Sequence, residues 1–260
     1  MERWQSAVTD IGPGHIRVRG YDIIDLMPRC GFADLLFLLH RSRLPSAGER
    51  RLVEAILIAS ADHGPGSPSA LAARVVASGN RRAPEAAIAA GLLAIGDVHG
   101  GAGEQCLTIL AEARDWAARG QRSLGEAAAW LVTRAATQGT RLPGLGHRTH
   151  DEDPRATVLF DLARQHGLAG DGVTLIETLR EEASRRIRPL PINVDGALAA
   201  VLLDLGFAPV AARFFFMVGR VAGLTAQVAE EMDRERPMRI TVPVEYDGPA
   251  ARPLPAEEDA

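Results

Sequence analysis

The chain has 260 residues, enough for one large domain or two modest ones with a real core. Apolar residues make up 47% and charged residues 24%, ordinary globular usage, and the formal net charge of −4 carries none of the basic footprint of a nucleic-acid binder. Two cysteines, Cys30 and Cys106, neither in a CxxC spacing, exclude a disulfide framework and read as buried free thiols. The opening MERWQSAVTD lacks the apolar run of a signal peptide, and no stretch is apolar for long enough to span a bilayer. A cytoplasmic protein is expected, with no membrane or nucleic-acid partner.

Residues 1–20, with Gly12, Pro13, Gly14 and Gly20 as breakers, read as irregular. Helical patterns follow. Residues 33–43 keep their apolar positions together. After Pro45-Ser46, residues 47–63 place Leu52, Val53, Ile56 and Leu57 on one helix face. Ser67 or Ser69 caps the next helix, which ends at Gly79-Asn80, and Pro84 starts EAAIAAGLLAIG. That segment has no charge after Glu85, so it should be buried all round, in a domain core or at a subunit contact. Residues 102–119, 124–138, 154–166, 172–187, 195–205 and 208–233 are further Ala- and Leu-rich segments between Gly or Pro breaks. The expectation is an all-α protein of about ten helices, with at most a short extended tail at Val242 to Tyr246. There is no internal repeat, and no spacing typical of metal ligands.

Several polar residues fit this pattern poorly. His63, His99, His147 and His150 stand at glycine-rich breaks, where backbone can approach a ligand closely. Asp195 in INVDGALAA reads equally well as an N-cap or as a general base among apolar neighbours. Arg155, in the first turn of its helix, works against the helix dipole. Arg220 sits in the apolar segment FFFMVGRVAG, where a buried guanidinium requires an anion from the protein or from a ligand. Asp97 can orient the neighbouring loop. His15, His40 and His166 read as ordinary surface or core residues. The stretch LPGLGHRTHDEDPR, 142–155, concentrates glycine, histidine, carboxylate and arginine in one loop.

Seven motifs in order, RVRGYDI (17–23), ADH (61–63), VHGGAGE (98–104), PGLGH (143–147), DPR (153–155), NVDGALAA (193–200) and VGRVAG (218–223), resemble the citrate synthase superfamily over about residues 17–233. DHGP (62–65), IGD (95–97) and NVDG (193–196) look most like the citryl-CoA lyase branch, which includes the lyase domain of ATP-citrate lyase. The resemblance implies an all-α, two-domain citrate synthase-like fold shortened at the N-terminus. The large domain would be 1–100 and 207–260, the small domain 101–206, and the assembly a homodimer. It implies that Asp195 moves the methyl proton of acetyl-CoA and that His99 donates to the thioester oxygen. His147 would face the carbonyl or hydroxyl of the oxaloacetate half. His63, Arg155 and Arg220 would hold substrate carboxylates. The backbone of Leu142, Pro143, Gly144, Leu145 and Gly146 would touch the CoA adenine. No permanently bound cofactor or metal is implied; the CoA thioester is substrate. The chemistry explains the residue types, because a thioester α-proton leaves only with a base and a donor to the enolate oxygen.

The match departs from the family in four places. The spacing from His147 to Arg155 is one residue shorter, Gly103 stands where asparagine is usual, and Gln227 stands where many relatives have histidine. Val242-Pro243 replaces an Arg-Pro whose arginine reaches the partner's site, so that role falls to Arg236, to Arg239 or to neither. Three functions follow. The first is citryl-CoA lyase, giving acetyl-CoA and oxaloacetate. The second is a citrate or 2-methylcitrate-type synthase condensing an acyl-CoA with oxaloacetate. The third is a non-catalytic binder of CoA or carboxylates.

Overall fold

The structure is a computed structural model that describes residues 4–146 and 151–254. Its first elements correct the reading of residues 1–20 as irregular. Strands β1 (Thr9–Gly12), β2 (His15–Val18) and β3 (Tyr21–Asp22) form an antiparallel sheet in that order. Thr9 pairs with Val18 and Gly12 with His15, so Pro13-Gly14 is the two-residue turn between β1 and β2. Positive φ at both Arg19 and Gly20 makes the second turn. The strands are too short, and too exposed on both faces, to leave an alternating apolar signature. Val18 is the exception, packing under the sheet with Leu26 and Leu38.

Eleven helices follow among the described residues. The single turn α1 (Ile23–Leu26) leads to α2 (Phe32–Arg41), α3 (Ala47–Ala61), α4 (Pro68–Gly79) and α5 (Pro84–Leu93). Then come α6 (Ala102–Arg119), α7 (Leu124–Gln138), α8 (Pro154–Gln165), α9 (Asp171–Arg186), α10 (Val194–Asp204) and α11 (Val210–Arg234). Their ends are set by local chemistry. Ser46 with Glu49, and Ser123 with Glu126, form reciprocal capping boxes that start α3 and α7, each cap contributing about 1 kcal/mol.

Helix α10 is the centre of the molecule. Every residue from Gly196 to Leu203 is buried, and α6, α8, α9 and α11 pack around it, as an uninterrupted apolar sequence requires. Leu198 and Leu202 each contribute roughly 2 kcal/mol through burial. One apolar cluster runs from Leu36 and Ile56 through Leu107, Leu159 and Leu179 to Phe215. A second, smaller cluster joins α4, α5 and α11 through Ala73, Ala87 and Leu224. Helix α5 is not buried all round. Only Ala87 and Gly91 are covered, and Leu93 is 86% exposed, which excludes the domain-core alternative for this segment. Cys106 is buried as expected, whereas Cys30 is only half-buried.

Two close approaches place the functional side chains. A Cβ on Gly219 would lie 2.7 Å from the Leu57 carbonyl, and one on Gly223 would lie 2.0 Å from that of Ala61. The small residues of VGRVAG therefore let α11 touch the end of α3 and carry Arg220 into the gap. Loop residue Gly144, at φ +84°, meets Gly196 of α10 in the same way: a Cβ on Gly196 would lie 2.4 Å from the Gly144 carbonyl.

Candidate active site

A cavity of about 420 Å³ opens where α3, the 96–101 loop, α8, α10 and α11 converge. His63, His99, Arg155, Asp195 and Arg220 all line it. A second cavity of about 890 Å³ adjoins it, sharing His63, Val98, Asn193 and Asp195, and extends past Leu142, Leu145 and Gly146 to Arg141 and Arg188. Five of the seven residues predicted to do chemistry or hold carboxylates are thus brought together, from five separate parts of the chain.

Arg220 is 3% exposed. Its Nε donates to the Ser60 carbonyl at 2.9 Å, and its Nη1 donates to the hydroxyls of Ser67 at 3.4 Å and Ser69 at 3.1 Å. The Phe216 ring lies 4.8 Å beneath it. All these acceptors are neutral, so the guanidinium is buried without a bonded carboxylate among the described residues. Burial accordingly pushes its pKa down, against the attraction of Asp62. A fixed cation at a cavity wall with unspent charge is a receptor for an anion.

Ser69 connects Arg220 to His99. Its hydroxyl lies 2.9 Å from His99 Nε2, and its backbone N–H donates to the same nitrogen at 3.3 Å. Because Nε2 accepts from the Ser69 N–H it carries no proton, so the Ser69 hydroxyl donates to it while accepting from Arg220. This assigns Nε2 as acceptor and Nδ1 as the N–H donor. Burial, then Arg220 and His63, hold the imidazole pKa below its ordinary value, which favours the neutral ring. A tight turn fixes the residue, with Gly96 N donating to the His99 carbonyl at 2.8 Å. Arg213 pairs with both Asp97 and Glu104 beside it.

Asp195 stands in the first turn of α10 and faces both cavities. It is not the N-cap: Asn193 takes that role, accepting from Gly196 N at 3.1 Å. Burial raises the Asp195 pKa and Asp153 adds to this, outweighing the opposing pull of Arg155 and Arg220. A carboxylate so displaced holds a proton more tightly than an ordinary one and is a stronger base when ionised. Asp153, 2% exposed, anchors this end of α10 by accepting Val194 N at 2.9 Å. It also grips Arg155 with both oxygens, at 3.0 and 2.9 Å. The unfavourable arginine in the first turn of α8 is therefore held by its own N-cap. Burial alone would raise the Asp153 pKa, but the hydrogen bonds and charge of Arg155 hold it below the usual range.

The 142–146 loop is strapped to the strand-like approach to α10. Gly146 N donates to the Pro191 carbonyl at 2.7 Å, Asn193 N to that of Gly144 at 3.1 Å, and Asn193 Nδ2 to that of Gly146 at 2.8 Å. The PGLG (143–146) and NVDG (193–196) segments are thus two sides of one joint.

His147 lies outside the described residues. Arg236 is exposed at the root of the C-terminal tail and does not line either cavity. Arg239 is taken up by the fully buried Glu231. Ser69, Asp153 and Asn193 were not singled out from sequence, although the DPR and NVDG motifs contain two of them. Ser69 was seen only as a possible cap.

Fold and site together define a helical protein whose cavity sets a displaced carboxylate and a neutral imidazole donor among fixed cations. The profile described as "Citrate synthase, C-terminal domain" matches residues 46–241, and the chain belongs to that family. The structure resembles that of citryl-CoA lyase from Hydrogenobacter thermophilus, with a TM-score of 0.90 and 35% identity over 100% of both chains. It also shares the fold of ATP citrate lyase from Methanothrix soehngenii, at TM-score 0.80 and 22% identity, covering all of this chain and 43% of that one. "Putative citrate synthase 2" of Mycobacterium tuberculosis H37Rv is 31% identical over 218 residues, 79% of this chain. This match takes in 54% of that relative's length.

Proposed function

We propose that this protein is a citryl-CoA lyase, cleaving citryl-CoA to acetyl-CoA and oxaloacetate through the acetyl-CoA enolate. The observation that carries the reading is the convergence on one cavity of Asp195, His99 and Arg220, the last without a bonded carboxylate among the described residues. The full-length likeness to citryl-CoA lyase supports it. His147 takes the hydroxyl proton of the citryl group, and the bond between the hydroxyl-bearing carbon and the thioester α-carbon breaks. The electron pair moves onto the thioester, where Nδ1–H of His99 stabilises the enolate oxygen. Protonated Asp195 then delivers a proton to the α-carbon, completing acetyl-CoA. His63, Arg155 and Arg220 hold the carboxylates.

The larger cavity suits the CoA portion. Its volume is that of a cofactor site, Arg141 and Arg188 are available to phosphates, and Asp195 is the one carboxylate lining it among the described residues. The catalytic cavity is walled on one side by residues of 101–206 and on the other by the remainder, as a cleft between the small domain and the large domain of 1–100 and 207–260 requires. A homodimer is supported by the exposed apolar face of α4 and α5, with Leu71, Val75 and Leu93 in solvent. Within it, Arg236 rather than the engaged Arg239 is the arginine offered to the partner. A cytoplasmic location is consistent with the lack, among the described residues, of a helix long and apolar enough to cross a membrane.

Similarity to citrate synthases favours a second reading, a synthase using the same cavity. Mass spectrometry of two mixtures separates the two. The lyase converts synthetic citryl-CoA to acetyl-CoA and oxaloacetate, and yields no free citrate from acetyl-CoA and oxaloacetate. Accumulation of free citrate and CoA identifies a synthase instead.

A further inference from the structure

We infer that Gln227 is a positioning residue for the carboxylate end of the substrate, acting on the Asp62–His63 corner of the cavity from outside it. The inference rests on the citryl-CoA reading of that cavity. Neither Gln227 nor Asp62 lines the cavity, whereas His63 does.

The chain of contacts begins at Arg74, which is 5% exposed and donates through Nε to buried Glu231 at 3.0 Å. Arg74 Nη1 donates to Gln227 Oε1 at 2.7 Å. An arginine has no acceptor, so this bond fixes which end of the amide faces it. The Gln227 NH2 group is therefore turned to Asp62, at 3.3 Å from Oδ1 and 3.2 Å from Oδ2. Asp62 in turn accepts from Gly64 N at 3.1 Å, closing a short loop around His63. The same carboxylate acts on Arg220, where its attraction raises the guanidinium pKa against burial. Helix α11 also presses on this corner, because a Cβ on Gly223 would lie 3.1 Å from that of Asp62. Gln227 thus couples the rigid α4–α11 ion cluster to the turn that presents His63.

The position has a defined chemical requirement: accept from a buried cation and donate to a carboxylate. Glutamine does both. A neutral imidazole does both, with one nitrogen for each task. Leucine does neither. Glutamate accepts from Arg74 but sets a second negative charge against Asp62.

The test compares wild type with Gln227→His, Gln227→Leu, Gln227→Glu and Asp62→Asn in citryl-CoA cleavage, with melting temperature as a check on folding. Gln227→Leu and Gln227→Glu should raise KM about fivefold or more with kcat within about twofold of wild type, the size of one lost hydrogen bond. Asp62→Asn should shift KM in the same direction, and Gln227→His should restore it. Wild-type KM in folded Gln227→Leu, or Gln227→His as impaired as Gln227→Leu, would overturn the inference. A readout independent of turnover is the imidazole 15N shift of His63, assigned with His63→Gln. It should move in Gln227→Leu and return in Gln227→His. If wild type does not cleave citryl-CoA, the functional reading fails, and an unmoved His63 signal then refutes the positioning role separately.

Discussion

Two arginines are buried in the α3–α4–α11 layer and do opposite things. Arg74 meets Glu231 at 3.0 Å and Glu230 at 3.2 Å, with Arg239 closing the cluster from the tail. Arg220, as deeply buried, is hydrogen-bonded among the described residues to a carbonyl and two hydroxyls and to no carboxylate. Both guanidiniums lose hydration, but among the described residues only Arg74 recovers a directly bonded ion pair, whereas Arg220 feels Asp62 and Asp195 without bonding them. The difference separates structure from site: a satisfied buried cation holds helices together, and an unsatisfied one at a cavity wall awaits an anion.

The sharpest break of this comparison lies beside Arg220. Asp195→Asn should lower kcat for citryl-CoA cleavage by about 10³-fold or more. The same variant should melt higher than wild type at neutral pH. Burial raises the folded-state pKa of Asp195, so its ionisation opposes folding above the unfolded pKa, and the amide removes that opposition.

Exchanging the two arginines' fates comes next. Arg220→Gln should lower kcat/KM by about 10²-fold, the loss of a charge-assisted contact, with little change in melting temperature because no bonded carboxylate among the described residues is orphaned. Arg74→Gln should do the reverse, destabilising the fold by about 3 kcal/mol in urea titration because buried Glu231 loses a partner. Its effect on turnover should be confined to KM. Equal stability losses in the two variants would erase the distinction.

The pH profiles sharpen it further. In the proposed mechanism cleavage needs Asp195 protonated and condensation needs it ionised. Cleavage should therefore fall as pH rises through the raised Asp195 pKa, and methyl-proton abstraction should fall as pH drops through it. Both limbs should lie above the ordinary carboxylate range. Ser69→Ala, which removes the relay between Arg220 and His99, should cost about tenfold in kcat.

The smallest effect lies far from the cavity. The hydrogen bond from Arg43 holds Glu49 at about 2 against burial. The stability it supplies should be present above the ordinary glutamate range and lost as pH falls toward that value. Glu49→Gln should flatten this part of the acid-unfolding curve and leave turnover unchanged.

How much of this was legible in the sequence follows the same division. The ten long helices were readable because their caps, prolines and apolar faces are local, as in the Ser46–Glu49 box. The β1–β3 sheet was not, because four-residue strands with exposed faces carry no periodic signal. At the site, Asp195, His99 and Arg220 conflicted with their surroundings and could be singled out. Asp153 and Ser69 did not, since a capping aspartate and a serine near a helix start look ordinary. Their roles arise only when Val194, 41 residues away from Asp153, and His99, 30 residues away from Ser69, fold against them. The choice of Asn193 over Asp195 as cap was likewise a matter of two residues that sequence pattern cannot separate.

The most direct test of the central claim is deuterium entry into the methyl group of acetyl-CoA in D2O, with oxaloacetate present, followed by NMR. Wild type should exchange, and Asp195→Asn should show none above background. Exchange at the same rate in both, or none in folded wild type, would contradict the assignment of this cavity as the site of enolate chemistry.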